Sequence, residues 1–175
     1  MSNIIRGLDH VAMTVPDIEA ATYFLKKAFG AKINYDLQRP EDGPLEGEET
    51  EQMLGLKKGT KLLHMRMLSI GSGISIELFQ YITDEQRPAA ISSDIGLQHF
   101  ALYVEDIELA SKLFVEAGGV LFSGINKIFG KIEGNDDRNR FVYGKAPWGT
   151  VIELVSIPGG IDYPSYSEAK RNPIV

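Results

Sequence analysis

The chain has 175 residues, 43% hydrophobic and 24% charged, with 24 acidic against 18 basic side chains and a formal net charge of -6. That length suits one or two small domains burying roughly 70% of their unfolded surface, and the acidic balance argues against nucleic acid and anionic membranes as partners. The lack of cysteine excludes disulfide frameworks, thiolate metal sites and cysteine nucleophiles, and no apolar run approaches the roughly 20 residues of a membrane span.

The opening segment MSNIIRGLDH lacks the basic-then-apolar pattern of a secretory leader, so the expectation is a soluble, cytoplasmic protein. Leu8 to Val15 is apolar and β-branched, which predicts a strand. Asp17 stands where a helix N-cap belongs, Ile18, Ala21, Leu25, Ala28 and Phe29 form a helical stripe, and Gly30 ends it. Lys32 to Leu37 alternates like a half-buried strand, and residues 39 to 60 read as a long acidic surface loop with room for a short helix. Lys61 to Ile70 and Ile74 to Tyr81 are strands around a Gly71-Ser72-Gly73 turn. Residues 82 to 95 are polar and read as a linker. The second half then offers a strand to Val104, a helix from Asp106 to Ala117, strands Val120 to Ser123, Arg140 to Lys145 and Thr150 to Ser156, and a turn at Pro147-Trp148-Gly149. The tail from Pro158, with its prolines, glycines, Tyr163 and Tyr166, is expected to be irregular.

The two halves are copies of one unit. At a constant offset of 89, Gly7, Leu8, His10, Ala12, Val15, Asp17, Ile18, Glu19, Ala21, Ala28 and Gly30 recur as Gly96, Leu97, His99, Ala101, Val104, Asp106, Ile107, Glu108, Ala110, Ala117 and Gly119. Further along, Ile76-Glu77-Leu78 recurs as Ile152-Glu153-Leu154. Two copies are too few for a solenoid, so duplication of a βαβββ unit is the reading.

Duplication singles out four side chains. His10 and His99 hold matched places in the first strands, and Glu77 and Glu153 hold matched places in the last. Under a pseudo-twofold axis they can meet at one point. Two imidazoles and two carboxylates suit nickel, cobalt, iron, manganese or zinc, with coordination positions left for water or substrate. Each glutamate alternates with isoleucine and leucine, so it points away from them, toward solvent in a simple sandwich or into a cleft in a curved sheet. His64 has no counterpart in the second half and reads as a partly exposed strand residue, while Met65, Met67 and Trp148 read as core or pocket lining. Gly71-Ser72-Gly73 is a turn with no following helix to cradle phosphate, and no basic cluster suggests nucleic acid.

The duplicated unit, with DHVAMTVPDIEAA opening one half and QHFALYVEDIELA the other, resembles the vicinal oxygen chelate superfamily of glyoxalase I, methylmalonyl-CoA epimerase, extradiol dioxygenases and bleomycin-type resistance proteins. The resemblance implies an α+β fold: two tandem βαβββ modules, about 5-81 and 95-157, forming a cupped, partly closed mixed sheet with helices outside. Residues 1-157 would be one glyoxalase-like domain, and 158-175 an irregular C-terminal tail. It implies His10, Glu77, His99 and Glu153 as ligands of one divalent metal ion, a set that matches the His-Glu-His-Glu pattern of glyoxalase I. Glu153, with Glu77 as its partner, would be the catalytic base of a lyase or isomerase that removes a proton alpha to a carbonyl through a metal-stabilised enediolate. The implied partners are a small-molecule carbonyl substrate and a second subunit in a homodimer. The glutathione-contacting arginine and asparagine pattern of glyoxalase I has no clear counterpart, Arg6 and Asn126 being the candidate contributors, and Glu48-Glu49-Thr50-Glu51-Gln52 resembles an acidic segment of epimerases, against its plain reading as a solvated loop. Two rivals share the fold: an iron(II) dioxygenase using His10, His99 and Glu153, and a metal-free drug- or metabolite-binding protein.

Overall fold

Asp17 and Asp106 start the two long helices by the same device. The Asp17 carboxylate accepts from the amide of Ala20 at 2.9 Å and that of Asp106 from the amide of Leu109 at 2.8 Å. Each satisfies one of the amides that a helix start leaves without an intrahelical partner. Helix α1, Ile18–Phe29, closes on Gly30 in the left-handed region at φ 66°, and helix α3, Ile107–Glu116, closes on Ala117. The structure, a computed structural model, describes residues 7–171. Arg6 and most of the segment read for a leader lie outside the described residues, as do the last four residues of the tail.

In the first half, β1 (His10–Thr14) precedes α1, and β2 (Lys32–Gln38), helix α2 (Glu48–Leu54), β3 (Lys61–Ser69) and β4 (Ser75–Ile82) follow it. These strands form a mixed sheet in the order β1-β4-β3-β2, with β1 and β4 parallel and the other pairs antiparallel. In the second half, β5 (Phe100–Tyr103), α3, β6 (Val120–Leu121), β7 (Asn126–Lys127), β8 (Arg140–Lys145) and β9 (Val151–Ser156) repeat the plan in the order β5-β9-β8-β6, with β7 also on β8. The α+β class and the repeated βαβββ order hold, in two mixed sheets, neither closed. The chain divides into two compact units that part between Arg87 and Pro88, with Lys27–Phe29 grouped in the second. No helix among the described residues is long and apolar enough to cross a membrane.

Each unit has its own core. In the first, Ile18, Phe24 and Leu25 of α1 and Leu68, Ile76 and Leu78 of the sheet are almost wholly buried. Phe114, Val142, Ile152 and Leu154 are the equivalents in the second. Phe114 needs two glycines to lie flat: a Cβ at Gly144 would stand 2.7 Å from its ring, and one at Gly119 would overlap it.

Two expectations change, at His64 and at the strand after α3, and the acidic loop holds the short helix it had room for. His64 is buried, 6% exposed, because β3 is an inner strand and its α1-facing side carries a polar cluster. His64 Nε2 donates to Asp36 at 3.1 Å, Arg66 Nε donates to the same oxygen at 2.7 Å, and Arg66 Nη1 donates to Thr22 of α1 at 3.0 Å. Arg66 also pairs with Glu19 at 2.8 Å. The strand expected over Val120 to Ser123 ends at Leu121. Beyond it Ser123 and Asn126 side chains bond locally, to each other and to the Gly124 carbonyl, which competes with a continued ladder. The acidic loop contains α2 and a 3-10 turn at Pro40–Asp42.

The described part of the tail carries no helix or strand and is held by several contacts, among them Asp162 N–H to the Ile132 carbonyl at 2.9 Å, Arg171 to Glu133 at 2.6 Å and the bonds of one buried side chain. Asn139, fully buried, accepts from the amide of Gly159 at 2.8 Å and donates to the carbonyls of Gly160 and Glu133 at 2.9 and 2.7 Å.

Candidate functional site

Register puts each histidine beside its module's glutamate. Across the parallel pair β1 and β4, Ala12 stands opposite Glu77, and across β5 and β9, Ala101 stands opposite Glu153. Each histidine lies two residues before its alanine, so histidine, alanine and glutamate share one face, and the alanine methyl leaves space between the other two. The opposite face holds the buried neighbours Ile76 and Leu78, or Ile152 and Leu154. The result is one contact made twice: His10 Nε2 lies 3.2 Å from Glu77 Oε2, and His99 Nε2 lies 3.1 Å from Glu153 Oε2.

The other ring nitrogen is engaged in both cases by the preceding residue. His10 Nδ1 is 2.7 Å from Asp9 Oδ2, and His99 Nδ1 is 2.7 Å from Gln98 Oε1. Gln98 donates its own Nε2 to the Ser92 carbonyl at 2.8 Å, which turns its oxygen toward the ring. Each imidazole therefore sits between two oxygen acceptors. A neutral imidazole carries one N–H, so one of the two contacts would set lone pair against lone pair. An imidazolium resolves this, and so does an Nδ1–H donor whose Nε2 lone pair faces a cation or a protonated carboxyl group. The cation case is the arrangement of metal-bound histidines, whose far nitrogen donates to an outer acceptor. At His10 the hydrogen bond donated to Asp9 is the largest influence and raises the pKa, burial opposes it, and the charges of Glu77 and Asp9 add to the rise.

The faces around the pairs are apolar and aromatic. Beyond Glu77 on β4, Phe79 and Tyr81 stack with centroids 5.5 Å apart, and burial together with the Glu77 charge raises the Tyr81 pKa. Beside Glu153, Tyr143 stands edge-on to His99, and Phe141 stands edge-on to Tyr143. Burial, the Glu153 charge and a hydrogen bond to Glu153 raise the Tyr143 pKa.

The structure thus joins His10 with Glu77 and His99 with Glu153. Among the described residues no group of three or more histidine, aspartate or glutamate side chains is spaced to hold a metal. Asn126 is committed to Ser123 and Gly124, which leaves its amide occupied. Glu48 to Gln52 form an exposed helical turn bonded within itself and to Gly59. Met67 is buried, and Trp148 donates to Thr150 at 2.7 Å. Asp9, Gln98 and Tyr143 were not singled out from sequence. The first two carried a signal, since each directly precedes a repeated histidine. Tyr143 carried none, because its role depends on strand pairing.

Comparison with known proteins places these features in context. Residues 9–133 match the family model described as the Glyoxalase/Bleomycin resistance protein/Dioxygenase superfamily. The chain is 30% identical over 167 residues to a 2-epi-5-epi-valiolone epimerase of Actinomyces sp, covering 94% of this chain and 86% of that protein. It is 34% identical over 126 residues to an ethylmalonyl-CoA/methylmalonyl-CoA epimerase of Cereibacter sphaeroides, covering 71% and 81%. The crystal structure of a glyoxalase family protein from Bacillus cereus superposes with a TM-score of 0.67 at 19% identity, covering 89% of this chain and 96% of that one, which concerns the fold alone.

Proposed function

The chain belongs to the glyoxalase/bleomycin resistance protein/dioxygenase superfamily, and from that premise we propose that it is an isomerase of the epimerase type, moving a proton alpha to a carbonyl of a small substrate. Both curated relatives are named epimerases, which supports an isomerase over a lyase or an oxygenase. In this reading residues 1-157 act as one glyoxalase-like domain whose two modules share a site. His10, Glu77, His99 and Glu153 would together hold one divalent cation. The observation that carries it is the doubled bracketing of the imidazoles, each with Nδ1 engaged and Nε2 facing a carboxylate oxygen at 3.1–3.2 Å. A bound divalent cation would supply Lewis-acid polarisation of the carbonyl oxygen and so acidify the neighbouring C–H.

The chain's own groups do the rest. Asp9 and Gln98 keep the Nδ1 protons in place, so that Nε2 presents a lone pair rather than a hydrogen. A glutamate oxygen accepts the α-proton. Inversion requires the proton to return on the opposite face of the carbon, and in this reading the second glutamate would be the acid that returns it.

The test has two steps. Protein purified without chelators is analysed for metal, and then supplied with substrates bearing a carbonyl next to a stereocentre, keto-cyclitols and acyl-CoA thioesters among them, in deuterated water. Stoichiometric metal and deuterium uptake at the α-carbon, lost in both Glu77→Gln and Glu153→Gln, is the expected result. Wild-type exchange in both variants would remove the glutamates from the mechanism, and iron-dependent oxygen uptake would assign oxygenase chemistry instead.

A further inference from the structure

The polar segment between the modules does more than join them. From Pro88 onward it belongs to the second unit. Ala89 lies against the turn between β8 and β9, where a Cβ on Gly149 would stand 2.9 Å from its own. From Ile91 to Asp94 the chain closes on itself: the Ile91 amide donates to Asp94 Oδ2 at 2.9 Å, and the Asp94 amide donates to the Ile91 carbonyl at 3.0 Å. Within that turn the Ser92 carbonyl accepts from Gln98 Nε2 at 2.8 Å. Gly96, at φ 133°, carries the chain from the turn toward β5 in a conformation that favours glycine.

A side-chain amide has one donor end and one acceptor end. With the NH2 group of Gln98 held by a carbonyl, only its oxygen is left for His99 Nδ1, 2.7 Å away. An oxygen at that distance accepts a proton carried on Nδ1 and opposes a lone pair there. A half-turn of the amide brings no relief, because it sets the amide oxygen against the Ser92 carbonyl oxygen. The first module has no such brace. Asp9, the repeat counterpart of Gln98, stands 2.7 Å from His10 Nδ1, but its side chain is 91% exposed and its carboxylate has no other partner among the described residues. It is free to swing away, and His10 can then carry its proton on Nε2 toward Glu77, 3.2 Å distant.

We propose that Asp94 and Gln98 are positioning residues that lock His99 in its Nδ1–H tautomer, with the Ile91–Asp94 turn as the brace, while His10 is left unlocked. The lock is a property of the metal-free chain. Its consequence, that His99 presents a preset Nε2 lone pair and makes the second module the preformed half of the site, rests on the reading of the two His–Glu pairs as one cation site.

The experiment uses the full chain, metal-free and labelled with 15N. Its three histidines give three imidazole patterns in long-range 1H–15N spectra, assigned with His10→Gln and His64→Gln and recorded at alkaline pH where they no longer change. The expected result is an Nδ1–H pattern for His99 and an average of the two tautomers for His10. In Gln98→Leu and Asp94→Ala alike, His99 should move to such an average, with thermal unfolding unchanged. A wild-type His99 protonated on Nε2, or a His99 pattern unaltered in Gln98→Leu, overturns the lock. A change in Gln98→Leu without one in Asp94→Ala overturns the role of the turn, and a His10 pattern as fixed as that of His99 overturns the asymmetry. Cobalt(II) alone, in competition with a chelator, tests the consequence separately. Gln98→Leu should bind it about 10- to 100-fold more weakly than wild type, the scale of lost outer-sphere partners. A wild type that binds no cobalt overturns the cation reading and leaves the tautomer result standing.

Discussion

Arg66 and Asp36 are register partners across β3 and β2, with Nε 2.7 Å from Oδ1, and Arg66 is only 6% exposed. The guanidinium is neutralised by Asp36 and Glu19 and satisfied by Thr22, so α1 and the sheet beneath it are joined through one buried cation. Removing one member of a buried pair leaves the other charge without compensation. Arg66→Ala is expected to lower unfolding stability by about 3–5 kcal/mol, measured by urea denaturation. The double variant Asp36→Leu with Arg66→Met should be less destabilised than Arg66→Ala.

The same pair sets an acid dependence. The hydrogen bond from Arg66, reinforced by His64 and outweighing burial, holds the Asp36 pKa below its ordinary value. The unfolded chain therefore takes up this proton more readily than the folded one. The stabilisation is fully present above the unfolded carboxylate pKa and is lost as pH falls through the lower folded value. Between about pH 5 and pH 2, urea midpoints should fall more steeply for wild type than for Asp36→Asn. Equal slopes would show that Asp36 does not contribute.

Thr22 and Ser111 are repeat counterparts with opposite expected behaviour. Thr22 accepts from Arg66, whereas the buried Ser111 hydroxyl has no hydrogen-bond partner, since Val142 stands in the second sheet where Arg66 stands in the first. Thr22→Ala orphans a buried N–H and should cost about 1–3 kcal/mol, while Ser111→Ala, which deletes an unsatisfied hydroxyl, should be neutral or stabilising. Chemical denaturation of both variants decides this, and a loss at Ser111 would mean that its hydroxyl has a partner in solution.

Gly144 is expected to tolerate no side chain. A Cβ there would lie 2.7 Å from the Phe114 ring and 2.9 Å from the Val120 carbonyl. Gly144→Ala should destabilise by about 1–3 kcal/mol, the usual range for overpacking. Adding Phe114→Leu should recover part of that loss, read as a coupling in a double-mutant cycle on thermal unfolding.

Asn139→Ala would remove the fully buried side chain that bonds the Gly159 amide and the carbonyls of Glu133 and Gly160. A hydrogen bond of this kind contributes about 0.5–1.5 kcal/mol, so its loss favours local release of the tail. Limited proteolysis should cut between residues 158 and 171 faster than in wild type.

What could be read without coordinates was whatever is local or repeated. Asp17, Asp106 and Gly30 announce their helix ends through chemistry confined to a few neighbouring residues, and the 89-residue offset exposed His10, His99 and the βαβββ order. The pairing of each histidine with its own glutamate was legible only as a possibility of convergence, because it depends on Ala12 and Ala101 aligning with Glu77 and Glu153 across strands. His64 was misread as partly exposed because its partner Asp36 lies 28 residues away on another strand. Tyr143 was passed over for a similar reason.

The strand order separates what is constant between the modules from what differs. In both sheets the glutamate-bearing strand and its parallel neighbour lie at one end, and at the far end the modules diverge, with a seven-residue β2 and α2 in one and a two-residue β6 in the other. Insertions at that far edge leave the histidine and glutamate strands in register. A lineage built on this plan can therefore remodel its outer segments while inheriting the two histidine–glutamate contacts unchanged.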